Sequence, residues 1–323
     1  MSRILHLAAS LLLVLFALSP TASAQEDEIV ANLAGGRLVI LVARDTIVFG
    51  AINHPLEATS VPPRVAEVDK SHVGVFFGAS EWQSPASPRP IRLDLDRPVV
   101  GAEQDKRYRQ PGDPETDLEQ LGMGYLEKLR PLVAQLHTPI DLKPDEPLLS
   151  IVLIGFGPQN YGPEAWLVEY HIEQHQVGRE QNYMQTRILR PRFTQLYPPE
   201  KHQAHTLVEV RFPDNLPGVP LLGLLQQSDP AVAAVRSSEA RFGKVADLIE
   251  RGQSPKANPT DATDFLRALL PILAGNASFI EATIGDGTGF VWVVPPSEPR
   301  PKTKAPEDKD RPPEAPTLRR KPN

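Results

Sequence analysis

The chain has 323 residues, with 34 Lys and Arg against 40 Asp and Glu, a net charge of −6, and no cysteine. The absence of cysteine excludes disulfides, thiolate metal ligands and a cysteine nucleophile. An acidic body also argues against a core that binds nucleic acid.

The first 24 residues read as an export signal. Arg3 supplies the positive charge, residues 4–18 an apolar run, and Ala22-Ser23-Ala24 a small-residue cleavage site before Gln25. That run falls short of the ~20 residues a membrane span needs, so no stable span is expected after cleavage. With no cysteine, the expected location is a bacterial periplasm or exterior. At the other end, the chain from Pro295 carries eight basic and five acidic residues, many prolines and one large aliphatic residue, Leu318. Such a segment buries too little apolar surface to offset its ordering entropy, so 296–323 is expected to be a disordered tail. The expected organisation is a single α+β domain over 25–295, with a proline-rich insertion near 80–112.

Residues 37–43 form a continuous apolar arm, followed by Arg44-Asp45-Thr46 and a second arm at 47–52. After a proline-bearing loop, 64–69 turns at Lys70-Ser71 into 72–77. This pattern predicts two consecutive β-hairpins. The stretch 80–112 reads as an irregular connection with an alternating edge strand at 91–96 and an exposed Trp82 able to anchor a partner. A helix is predicted from Asp113-Pro114, with Leu118, Leu121, Tyr125, Leu129, Leu132 and Leu136 on one stripe. Strands follow at 148–156, 165–172, 183–189 and 206–212. A helix capped at Asp229 uses Val232, Val235, Phe242, Val245 and Ile249. Another, starting near Asn258-Pro259, uses Phe265, Leu266, Leu269 and Ile272. The last hairpin joins 278–284 to 290–294 through Gly285-Asp-Gly-Thr-Gly289. Runs of strands separated from runs of helices predict an antiparallel α+β domain.

This order, together with the arms at 39–45, 47–52, 64–69 and 73–78, resembles the proteasome-subunit branch of the N-terminal-nucleophile (Ntn) hydrolases. The resemblance implies a four-layer αββα sandwich, two antiparallel sheets flanked by helices. It aligns the family's nucleophile with Gly36, its acid with Asn53 and its lysine with Arg64. The family mechanism needs a terminal Thr, Ser or Cys whose own α-amine acts as base. Glycine has no side chain to attack with, asparagine lacks the charge, and arginine stays protonated. The resemblance therefore implies a catalytically silent protein acting by interaction or self-assembly, with a homo-oligomer or protein partner. Two alternatives stay open. One is an active hydrolase, a peptidase or amidase, using an unrecognised nucleophile or a histidine-bound metal. The other is a cell-envelope binding module.

The clustered histidines are His171, His175, His202 and His205. On a strand, His171 and His175 would share a face about 13 Å apart, too far for chelation. The metal candidate is instead His171, Glu173 and His205 brought together across strands. The glycine-rich 285–289 segment joins two strands and opens no helix, so it reads as a hairpin turn without an anion site. Ser228, Ser237 and Ser238 read as helix-face or capping residues, and no Gly-x-Ser-x-Gly elbow occurs. No cofactor is expected.

Overall fold

The structure, a computed structural model, describes residues 30–53, 64–68, 72–83, 91–92, 118–157, 162–177, 183–198 and 207–296, apart from 138, 141, 144, 215, 217 and 228. The expected export signal, Asp113 cap and Lys70-Ser71 turn, Ser228, His202, His205 and residues 297–323 of the expected tail lie outside these residues.

Strand β2 (Gly36–Ala43) shows why the fold is layered: all eight of its residues are buried. A strand buried on both faces must lie between two layers, which accounts for its unbroken apolar sequence. Its odd-numbered residues Val39, Leu41 and Ala43 pack under helices, while Leu38, Ile40 and Val42 face a second sheet. A two-residue turn at Arg44-Asp45, with Arg44 at φ 50°, returns the chain as β3 (Thr46–Asn53). The turn is tied down by the Arg44 N–H, which donates to Pro255 O at 3.0 Å. The five-stranded sheet runs β12 (Leu207–Phe212), β2, β3, β13 (Phe279–Gly285), β14 (Gly289–Val294), every neighbour antiparallel.

The seven-stranded sheet is built around β5 (His72–Gln83). Along the path lie β1 (Val30–Ala34), β5, β7 (Leu149–Gly157), β8 (Gly162–Tyr170) and β11 (Arg192–Tyr197). β4 (Arg64–Glu67) and β6 (Ile91–Arg92) also pair with β5. A two-stranded sheet, β9 (Ile172–Gln176) with β10 (Met184–Ile188), extends from β8 beyond a break at His171. Helix α1 (Leu118–Val133) covers the outer face of the seven-stranded sheet through Tyr125, Leu126, Leu129 and Val133. It approaches most closely at Gly122, where a Cβ would strike the Phe193 ring, and Tyr170 Oη donates to Gly122 O at 2.8 Å.

The outer face of the five-stranded sheet carries α2 (Leu221–Gln226), α3 (Pro230–Ser238), α4 (Ala240–Glu250) and α5 (Pro259–Ala274). As the sequence predicts, Asp229 caps α3 by accepting from the Ala231 and Val232 amides, and Asn258 caps α5 by accepting from those of Thr260 and Asp261. Pro230 and Pro259 stand in the first turn, where no amide is needed. Between the sheets, Leu38, Ile40, Phe49 and Ala51 meet Val73, Val75, Phe77, Val152 and Ile154. The molecule is thus a four-layer αββα sandwich of two antiparallel sheets flanked by helices.

Three expectations change. Trp82 is not exposed in a linker: β5 continues to Gln83, and Trp82 is fully buried between β1 and β6. The helix from Asp229 is two helices, because Glu239 adopts an extended backbone between α3 and α4. The strand predicted at 165–172 stops at Tyr170 as β8, and after His171 a separate strand, β9, starts at Ile172 and runs beyond the predicted end. Strands β1 and β11 and helix α2 carry no strong periodic signal and were not predicted.

Two sites make the packing testable. Gly78 has φ +83°, and a Cβ there would collide with the Leu148 carbonyl oxygen. Gly78→Ala should therefore lose about 2 kcal/mol or more of unfolding free energy in denaturant titrations. Glu281 on β13 is fully buried; its Oε2 accepts from Arg267 Nε at 3.2 Å while Oε1 has no partner among the described residues. Burial pushes its carboxyl up to about 7, despite the opposing Arg267 charge. A raised acid favours the folded state while protonated, so this contribution is full below the ordinary carboxyl range and is lost as pH rises through about 7. Glu281→Gln should flatten that decline and raise stability at pH 8 by on the order of 1–3 kcal/mol, read from melts across pH.

Candidate functional site

Gly36 and Asn53 begin β2 and end β3, and they stand directly opposite each other. Alternation along the strands places both on the inter-sheet side, with Leu38 and Ala51. The Asn53 backbone N–H donates to Ser278 O at 2.9 Å, and its side-chain Oδ1 is buried without a partner among the described residues. On the other side Gly36 pairs with Phe212, whose ring stacks on Phe77 at 6.3 Å. Arg64 does not join them. It is opposite Phe76, whose ring packs edge-on against Tyr125 of α1 at 5.7 Å. Residues opposite one another share a face, so Arg64 lies on the α1 side of its sheet while Gly36 and Asn53 face the inter-sheet layer. Two of the three positions meet, and the third is on the far side of a sheet.

Beside Phe212 the sheets part to form a cavity of about 230 Å³. Its floor follows from register. Phe77, Ser150, Glu169 and Arg192 stand opposite one another in turn on β5, β7, β8 and β11, which places them on the inner face of the seven-stranded sheet. Ser150 is 3% exposed and lines the cavity. Glu169 lies beside it, half-buried. Burial, then the Asp214 charge, raise the Glu169 carboxyl above the usual range, against a lowering effect from Arg192. Leu167, Val210, Phe212 and Pro213 give apolar walls, and Lys143, Asp145 and Asp214 are exposed at the rim.

The cationic groups near Gly36 have structural work. Glu209 Oε1 lies 2.8 Å from both Arg37 Nε and Arg211 Nε, and Glu209 Oε2 accepts the Leu221 amide at 2.7 Å. Arg211 Nη1 donates to the Leu216 and Gly218 carbonyls. This cluster fixes the start of α2 to β12 and β2.

A second cavity, of about 330 Å³, lies across the 143–146 turn. The turn places Asp145 at φ 71°, with its carboxylate 3.7 Å from Arg192 Nη2. His171, 5% exposed, lines this cavity, and its Nε2 is buried without a partner among the described residues. Burial first, then Arg192, lower the His171 pKa. The metal candidate does not assemble among the described residues. His171 is buried, Glu173 and His175 are largely exposed on β9, His205 lies outside the described residues, and no cluster of three such ligands occurs among those described.

Sequence reasoning missed Ser150 and Glu169. The available signal was a polar residue within a largely apolar strand segment, Ser150 in 148–156 and Glu169, beside His171, in 165–172. The sequence matches no protein-family model and no curated protein.

A depressed histidine favours the folded state while neutral, so its contribution is present above the ordinary imidazole range and is lost as pH falls through the folded value. NMR titration should find His171 protonating below the ordinary imidazole range. His171→Phe should remove part of the stability lost on mild acidification, read as a flatter melting-temperature profile.

Proposed function

We propose that this is an exported, catalytically silent protein with an Ntn-like sandwich, acting by interaction or self-assembly. One observation carries the reading: the positions matching the family's nucleophile and acid, Gly36 and Asn53, meet at the inter-sheet mouth, and neither carries a reacting group. The αββα layering supports the resemblance to the family. The position of Arg64 on the opposite face of its sheet supports the loss of the chemistry, because a cation there cannot assist an amine at residue 36. Export rests on residues 1–24, and no helix among the described residues is long and apolar enough to cross a membrane.

A second reading, a working amidase or peptidase, is favoured by one specific feature: the buried Ser150, beside Glu169, opens onto the cavity. The two readings separate in one preparation. The purified exported chain should begin at Gln25, hydrolyse no fluorogenic amide or peptide above background, and take no fluorophosphonate label. Labelling that disappears in Ser150→Ala, or a mature chain that starts at an internal Ser or Thr, would sink the silent reading. Light scattering at high concentration should show an oligomer, and a strict monomer would remove self-assembly.

A further inference from the structure

We propose that the groove between α1 and β10 binds a small amphipathic anion, an oxyanion head on a hydrocarbon body, with Arg187 at the head. The groove lies on the outer side of the seven-stranded sheet, apart from the inter-sheet cavity, so a ligand there is compatible with either reading of the mouth near Gly36.

The groove's volume of about 640 Å³ lies in the range of small-molecule sites. Its charge is one-sided: Arg130, Arg187 and Arg190 line it, and among the described residues no Asp or Glu does. In a chain of net charge −6, this is a local reversal of sign. Arg187 carries the clearest unmet demand. It stands directly opposite Glu173 on β9, where opposite charges commonly pair, yet the two form no ion pair. Glu173 lies 3.9 Å from His175 instead, and Arg187, which is exposed, has no hydrogen bond or ion pair among the described residues. Arg130 pairs with Glu127 one turn back on α1, and both side chains are about half exposed. A surface pair of that kind is weak and can be redirected to a ligand.

The backbone adds a donor. The Leu189 N–H bonds His171 O and the Val177 N–H bonds Tyr183 O, so the odd-numbered residues of this strand face β9. The even-numbered amides therefore point to the other edge, beside α1. That of Met184 donates to His137 O at 2.7 Å, while that of Ile188 meets no acceptor among the described residues. A guanidinium fork and a free amide suit an oxyanion, a carboxylate or a phosphate monoester. The facing wall is aliphatic: Met123 and the buried Leu126 of α1 lie across from Ile188. That wall asks for a hydrocarbon body behind the head.

The test is calorimetric titration of the purified full chain at low salt with octanoate and octyl phosphate, and with octanol and octylammonium as neutral and cationic counterparts, all below their micelle concentrations. Saturable binding of at least one anion is expected, with octanol, octylammonium and the bodiless acetate weaker by about tenfold or more. Arg187→Gln should weaken the anion about tenfold and Arg130→Gln by a smaller factor, with melting temperatures unchanged. Arg187 is exposed and unpaired among the described residues, so its variant keeps the fold. Arg251, exposed at the end of α4 on the opposite outer layer, controls for net charge, and Arg251→Gln should leave the affinity unchanged. No saturable anion binding, octanol binding as tightly as the anions, or equal effects of Arg187→Gln and Arg251→Gln would overturn the proposal. Capture by phosphatidylglycerol vesicles without binding of either soluble anion would overturn it too, and would assign the basic groove to a membrane surface.

Discussion

The fold depends on the apolar layer between the two sheets. The β2–β3 hairpin brings Leu38, Ile40, Phe49 and Ala51 to it, and β5 and β7 answer with Val73, Val75, Val152 and Ile154. Each of these strands is covered on its other face by helices, so no residue of β2 reaches solvent. Fully burying an aliphatic side chain stabilises by about 1.5–3 kcal/mol, so a layer of this extent dominates the folding energy. The helix layers follow from it, because each sheet keeps an outer apolar face that must also leave water. Gly122 on α1, set against Phe193, and Gly50 on β3, set against Leu270, mark close approaches of helix and sheet layers, while Gly78 meets the Leu148 carbonyl beside its own sheet partner.

Much of this was readable in the sequence. The continuous apolar runs at 37–43 and 148–156 report burial on both faces, and the Asp229-Pro230 and Asn258-Pro259 pairs report helix starts with a definite mechanism. The parts that escaped prediction share a cause: their conformation is set by neighbours. Trp82 lies in a segment of polar and proline-rich surroundings, yet pairing with Ala31 and Ile91 extends β5 around it. Glu239 sits within a helical pattern, but the chain must turn to lay both α3 and α4 on the same sheet. The break at His171 likewise follows from β9 leaving the main sheet to pair with β10.

The candidate site was legible in its framework and illegible in its contents. Gly36 and Asn53 were found because they sit at the ends of a hairpin whose register is short-range. Arg64 was misplaced because linear order does not tell which face of a strand a residue occupies; a shift of one residue decides it. Ser150 and Glu169 come from different strands and meet only through pairing of β7 with β8. Polar residues in such positions carry a desolvation cost that a purely structural sheet would shed, and this makes them the informative feature of the inner face.

Glu209 has a further consequence. One carboxylate is shared by two guanidinium groups and a backbone amide at the rim beside Gly36. It lies on the helix face of β12, opposite Val39, and ties the β12–β2 edge to the first turn of α2. A single substitution that neutralised it would leave both guanidinium groups with only backbone carbonyls as partners and free the first amide of α2. One side chain on the helix face thus joins two strands and a helix start that the apolar layers alone would leave unlinked.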